Sequence, residues 1–156
     1  MDRNDREKIK IYLMSVKPKY AYRIFAGMKK FELRRWFGIR PEPGSIVVVY
    51  VSGNIKAIVG EFIVGKVVYG TPKKVWDYVQ SIPESGIYPE DRVYIDGDKP
   101  AMAIEVLKPR LYRKPIKIDE IRRIIPDFFP PMSFRELDRN EPLYKLLIRR
   151  LRLTKE

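Results

Sequence analysis

Gly27-Met28-Lys29-Lys30-Phe31-Glu32-Leu33-Arg34 is the stretch on which the reading of this chain turns. It lies where helical periodicity gives way to strand periodicity, with a glycine at the turn. If Phe31 to Trp36 is extended, Glu32, Arg34 and Trp36 share one face and Phe31 and Leu33 the other, because strand side chains alternate. The charged face would line a cleft and the apolar face a core. Lys29, just after the Gly27 turn, can swing to the same place and set a cation, an anion and a second cation around one small volume. Such a group suits an anionic or amide-bearing ligand. On spacing alone, the same residues better describe a solvated edge strand in which Glu32 and Arg34 neutralise each other.

Outward from this stretch the chain alternates short elements. Ile9 to Met14 is β-rich, and Pro18 stands where a first helical turn opens, with Ala21, Ile24, Phe25 and Met28 at helical spacing and Lys19 and Arg23 on the polar side. After the turn Arg40 to Gly44, Ile46 to Val51 is too β-branched and apolar to be anything but a buried strand, and Ser52-Gly53-Asn54 turns it. Ile55 to Tyr69 is long for one strand. Its glycines, Gly60 and Gly65, mark bulges or bends, so a strongly curved sheet is expected. Unbroken alternation would set Glu61 beside Ala57, Val59 and Ile63, where a carboxylate needs a partner or an elevated pKa; a bulge at Gly60 would turn it to solvent.

Thr71-Pro72 opens a second helix through Val79, and Arg92–Ile95 and Ala101–Leu107 read as a hairpin around Asp96-Gly97-Asp98. The last third differs. Asp119 is placed to cap a helix, Ser133 with Glu136 reads as a capping box, and Glu141 to Leu153 reads as a helix with Leu143, Leu146, Leu147 and Leu151 as its stripe and Lys145, Arg149, Arg150 and Arg152 as its basic remainder. The expected fold class is α+β: a small mixed β-barrel of about six strands with flanking short helices, over residues 1–112. A helical C-terminal extension, 113–156, packs on it.

A chain of 156 residues without cysteine or histidine has neither a disulfide framework nor imidazole or thiolate chemistry, so acid–base work falls to Glu, Asp, Lys or Tyr. No segment approaches a membrane span of ~18 apolar residues, and the charged N-terminal residues have no apolar signal region behind them, so a cytoplasmic location is expected. The formal charge is +12, with twelve basic and four acidic residues in 1–40, six and nine in 41–105, and fourteen and seven in 106–156. Cationic ends that meet in space attract phosphate backbones, so RNA or a nucleotide is the natural partner. A thermophile-like surface, rich in Lys, Arg and Glu, accounts for the charge density but not for its sign. Nothing in the sequence sets the oligomeric state, and a monomer is the default.

Gly27, Lys29, Glu32 and Arg34 match the G-x-K-x-x-E-x-R signature of the ASCH domain, and the chain resembles that family, a member of the PUA-like group of small β-barrels. The likeness continues through Leu13 to Tyr20, Pro43 to Ser52 and Lys56 to Glu61, about the first two thirds of the chain. The resemblance implies an RNA-associated module, and a few members resemble hydrolases acting on RNA or on acetylated cytidine nucleosides. In that amidohydrolase subgroup a threonine nucleophile stands where this chain has Glu32, so the acyl-transfer route lacks its hydroxyl here.

Three readings follow. In an RNA-binding module, Lys17, Lys19, Arg23, Lys30 and Arg35 with the terminal helix track phosphates, while Trp36 or Tyr50 stacks a base and Ser52 lies alongside. In a hydrolase of RNA or of a modified nucleoside, Glu32 acts as base, Lys29 and Arg34 stabilise negative charge, and Glu61 holds a proton or orients substrate. No cofactor is called for, although a divalent cation on the two carboxylates is an option and no dedicated metal site is read. The third reading is a non-catalytic domain for a small nucleotide or a protein partner.

Overall fold

Two central strands are apolar on both faces, and covering both of those faces sets the architecture. The computed structural model describes residues 9–155 and, in the last helix, side chains as far as Arg149. In chain order the elements are β1 (Ile11–Val16), α1 (Pro18–Phe25), β2 (Phe31–Arg35), β3 (Ile46–Val51), β4 (Ala57–Gly70), α2 (Pro72–Ser81), a 3-10 helix (Pro89–Tyr94), β5 (Ala101–Lys117), α3 (Ile118–Ile124), β6 (Phe134–Glu136) and α4 (Pro142–Lys155). The strands form one six-stranded sheet in the order β2-β5-β4-β3-β1-β6. β1 and β3 are parallel and every other pair is antiparallel.

Period-two alternation sends Ile11, Leu13, Ile46 and Val48 to one core, where Ile121 of α3 and Leu143 and Leu147 of α4 cover them. Tyr12, Met14, Val47 and Val49 face the other way and pack with Ala21 and Ile24 of α1. Phe31 and Leu33 form a third cluster with Val75 and Val79 of α2. Strands buried on both faces read as near-continuous apolar runs, which is what Ile46–Val51 does. The long strands β4 and β5 do not stay flat. Their register shifts between Ile58 and Gly60, between Glu61 and Ile63, and across Gly65, and each extra residue adds local bend and twist. The sheet therefore curls into a half-barrel with helices on its flanks, the α+β fold expected from the sequence.

Some elements depart from expectation. Arg92–Ile95 is not half of a hairpin. Pro89 opens a 3-10 helix there, and the buried Asp91 carboxylate accepts from the Tyr88 amide at 2.8 Å and pairs with Arg23 at 3.1 Å. Those contacts need a tight turn, which an extended strand would undo. Ser133 and Glu136 do not cap a helix either. Their segment pairs antiparallel with β1, matching Tyr12 with Glu136, because backbone groups on that side of β1 otherwise lack partners. The sixth strand thus comes from the last third of the chain. β5 runs through the expected junction at 112–113. Asp119 lies in the first turn of α3, whose cap position is Lys117. Arg150, Leu151 and Arg152 have side chains outside the described residues.

The turn before β2 is held from a distance. Gly27 sits at φ 76°, a left-handed conformation with open space around it. Gly86, at φ 75°, leaves no room for a Cβ against the Met28 carbonyl, and the Gly86 carbonyl accepts from Arg23. Gly27→Ala is expected to cost about 1–2 kcal/mol, the left-handed penalty alone. Gly86→Ala should cost more, because the backbone of the turn must also move. Chemical denaturation of both variants checks the order, and equal losses would contradict it.

Candidate functional site

The polar face of β2 forms the floor of a cleft of about 590 Å³. The end of β1, the start of α1, the β3–β4 turn, Tyr94 and the segment Pro130 to Ser133 wall it. Alternation along β2 sends Phe31 and Leu33 down onto α2 and leaves Glu32 and Arg34 facing the cleft.

At the floor lie three charges. Lys29 Nζ is 3.0 Å from Glu32 Oε1, and Arg34 Nη2 is 3.6 Å from Glu32 Oε2. The side chains of Lys29 and Glu32 are only 3% and 5% exposed, and that of Arg34 is 16%. Burial pushes the Glu32 carboxyl toward a higher pKa, but the charges of Lys29 and Arg34 and the Lys29 hydrogen bond outweigh it and hold Glu32 below its ordinary value. Arg34 is fixed from the other side as well. Its Nη2 donates to the Ser15 carbonyl at 2.8 Å and its Nη1 to Ser133 Oγ at 3.3 Å. Ser15 in turn donates its hydroxyl to the Pro131 carbonyl at 2.6 Å and its amide to the Ser133 carbonyl at 2.9 Å. Arg34 is thus the cation that the floor presents, aimed by groups from three separate segments.

Above Lys29 stands Tyr20, its ring centroid 4.7 Å from Lys29 Nζ. Tyr20 meets Tyr94 edge-on with centroids 5.2 Å apart. Burial, followed by the hydrogen bond to Tyr94, raises the Tyr20 pKa well above that of a free phenol, so its hydroxyl keeps a proton throughout the neutral range.

Of the residues expected at a site, Lys17, Lys29, Glu32, Arg34, Arg35, Tyr50 and Ser52 line the cleft. Lys19 and Lys30 are exposed but outside its lining. Arg23 is turned inward, 5% exposed, pairing with Asp91 and lying 3.9 Å over the Tyr88 ring. A guanidinium so enclosed is a brace for the turn and cannot reach a phosphate in solvent. Trp36 packs on Tyr69 outside the cleft. Glu61 is buried but engaged by Arg110 at 2.7 Å, and it does not join Glu32, so the two carboxylates do not form a shared cation site. Among the described residues no cluster of three or more acidic side chains could hold a metal. Sequence reasoning missed Ser15, Tyr20, Phe37, Lys56, Tyr94 and Ser133 as lining residues. The signal for Ser133 was misread as a helix cap; for Phe37 and Lys56 spacing offers none, because loops carry them.

Removing the anion should leave two cations facing each other in a poorly solvated site. Glu32→Gln is expected to destabilise the protein by about 3 kcal/mol at neutral pH, the scale of breaking a buried ion pair. A depressed folded-state pKa contributes stability that is present above the unfolded pKa and lost as pH falls through the folded one. The gap between wild type and Glu32→Gln, read from denaturant midpoints, should therefore shrink as the pH falls below the ordinary glutamate range, and a gap that stays constant to pH 2 would refute the assignment.

Comparison with known proteins finds relatives of the same fold. The ASCH domain profile matches residues 14–110. An ASCH domain-containing ribonuclease of Zymomonas mobilis is 25% identical over 131 residues, covering 83% of this chain and 85% of that protein. The crystal structure of ASCH from Zymomonas mobilis superposes with a TM-score of 0.74 at 25% identity, over 92% of this chain and 95% of that one. Human THYN1 protein, solved in complex with 5-methylcytosine containing DNA, shares the fold at 12% identity with a TM-score of 0.54, over 90% of this chain and 96% of that one. With the signature on the cleft floor and the profile spanning most of the sheet, this chain belongs to the ASCH domain family.

Proposed function

We propose that this protein is an RNA-binding ASCH module and that the strand lies in the cleft over Glu32 and Arg34. One observation carries the reading: the cleft lining holds five cations, Lys17, Lys29, Arg34, Arg35 and Lys56, against the single carboxylate Glu32. An anionic ligand is the match to that imbalance. Phe37 and Met132, 70% and 104% exposed, line the same cleft. Exposed apolar surface beside a basic groove suits the faces of unpaired bases. RNA is preferred over other anions because the Zymomonas mobilis relative is a ribonuclease.

That relative also favours a second reading, in which the cleft cleaves the strand it binds. Attack by the neighbouring ribose 2′-hydroxyl on phosphorus forms one P–O bond and breaks the bond to the 5′-oxygen; the 2′-hydroxyl proton passes to water and the departing 5′-oxygen takes a proton from water. Tyr20 lines the cleft beside Lys29 and is the candidate hydrogen-bond donor to that oxygen; a phenol held above its ordinary pKa is too weak an acid to surrender the proton itself. Arg34, aimed into the cleft by Ser15 and Ser133, faces the charge that builds on the phosphoryl oxygens. Glu32 suits the role of base poorly, since a carboxylate held below its ordinary pKa is a weak proton acceptor. Its part is to hold the two cations in place.

Labelled single-stranded and structured RNA, incubated with the protein at 50 and 200 mM salt with retention and cleavage scored together, tests both readings. Affinity is expected to fall steeply with salt, and Lys17→Ala or Lys56→Ala should each lower the slope by about one. Salt-insensitive binding would overturn the RNA reading. If cleavage is seen, Tyr20→Phe and Ser133→Ala should each slow it while retaining binding; cleavage at the wild-type rate in both would place the chemistry elsewhere.

A further inference from the structure

A second pocket opens where β2 runs out. Its walls include Trp36, Arg40, Tyr69, Pro72, Asp98 and Pro100, and it encloses about 350 Å³, enough for a planar ring system. Arg40 lies 4.5 Å over the Trp36 ring and 4.6 Å over the Tyr69 ring, yet its guanidinium makes no hydrogen bond to a described residue. A cation oriented by two aromatic faces with its N–H donors unspent is arranged for an acceptor that binds from outside. Asp98 is the pocket's one acid. The pocket therefore offers two aromatic rings, an unspent guanidinium and one acceptor.

We infer that this pocket takes a second nucleotide of the strand in the cleft, its base against Trp36 and Tyr69 and its phosphate on Arg40. The inference rests on the RNA reading of the cleft. Trp36 packs in the same cluster as Tyr69 and Ile104, on the face of β2 that carries Glu32 and Arg34. Two residues along a strand span about 7 Å, so the pocket begins one short step beyond Arg34. Every base has a stacking face, and every base edge carries an N–H donor for which Asp98 is the acceptor in the lining. The subsite should be tolerant of base identity.

The test uses Trp76→Phe protein, in which Trp36 is the sole tryptophan, titrated with uridine monophosphate and with oligouridylates of two, three and five nucleotides while Trp36 emission is followed. Quenching that begins with an oligonucleotide, together with a gain of roughly tenfold in affinity over the mononucleotide that Arg40→Ala removes, supports the subsite. Arg40 is exposed, so the variant should fold, and mononucleotide affinity for the cleft should be unchanged. Affinity that grows equally with length in Arg40→Ala, with Trp36 emission unmoved, overturns the subsite and leaves the cleft reading standing. Absence of binding at every length overturns the cleft reading, and the subsite with it.

Discussion

Burying a carboxylate between an ammonium and a guanidinium is the constraint on which the cleft depends. Any one of Lys29, Glu32 and Arg34 alone in that position would be costly, because a charge removed from water needs a compensating partner. Together they are tolerable, but only if the strand holds them within a few ångströms. Glu32 meets Lys29 at 3.0 Å and Arg34 at 3.6 Å, and this proximity lets two cations stand beneath a surface where a fourth charge, that of a ligand, can approach. The group carries a net positive charge even with its ions paired, so it is both structural and attractive to anions.

What surrounds this triplet explains why the chain needs more than a barrel. A sheet with β1 and β3 apolar on both faces cannot stand in water on either side, and α1 covers one face while α3 and α4 cover the other. The last third of the chain is therefore part of the same core. It also builds the cleft: Pro131 and Ser133 accept hydrogen bonds from Ser15, and Ser133 Oγ accepts one from Arg34. Packing and site geometry are joined at one short segment.

The strands were legible in the sequence wherever alternation was strong and local. Phe31 to Arg34 read correctly because its two faces differ in polarity, and Ile46 to Val51 because six β-branched and aromatic residues leave no other choice. The curl was foretold by Gly60 and Gly65. The errors have a common cause in contacts over long sequence separation. Arg23 looked like a solvated helix cation, since nothing near it in sequence announces Asp91, and the same pairing turned Arg92–Ile95 away from strand geometry. Ser133 offered a plausible local cap, while its actual partners lie more than ninety residues upstream. Glu61 was rightly read as a carboxylate in need of a partner, but the partner, Arg110, sits across a bulged strand pair whose register spacing does not reveal.

The pairing of β6 with β1 also has a meaning in time. β1 is the first described strand to leave the ribosome and β6 is the last. Until residue 136 has emerged, the edge of β1 at Ser15 has no neighbour and Arg34 lacks its Ser133 anchor. A nascent chain can carry the complete signature while the cleft still lacks a wall. The order of synthesis thus delays completion of the cationic cleft, in a protein born beside ribosomal RNA, until nearly all of the sheet is in place.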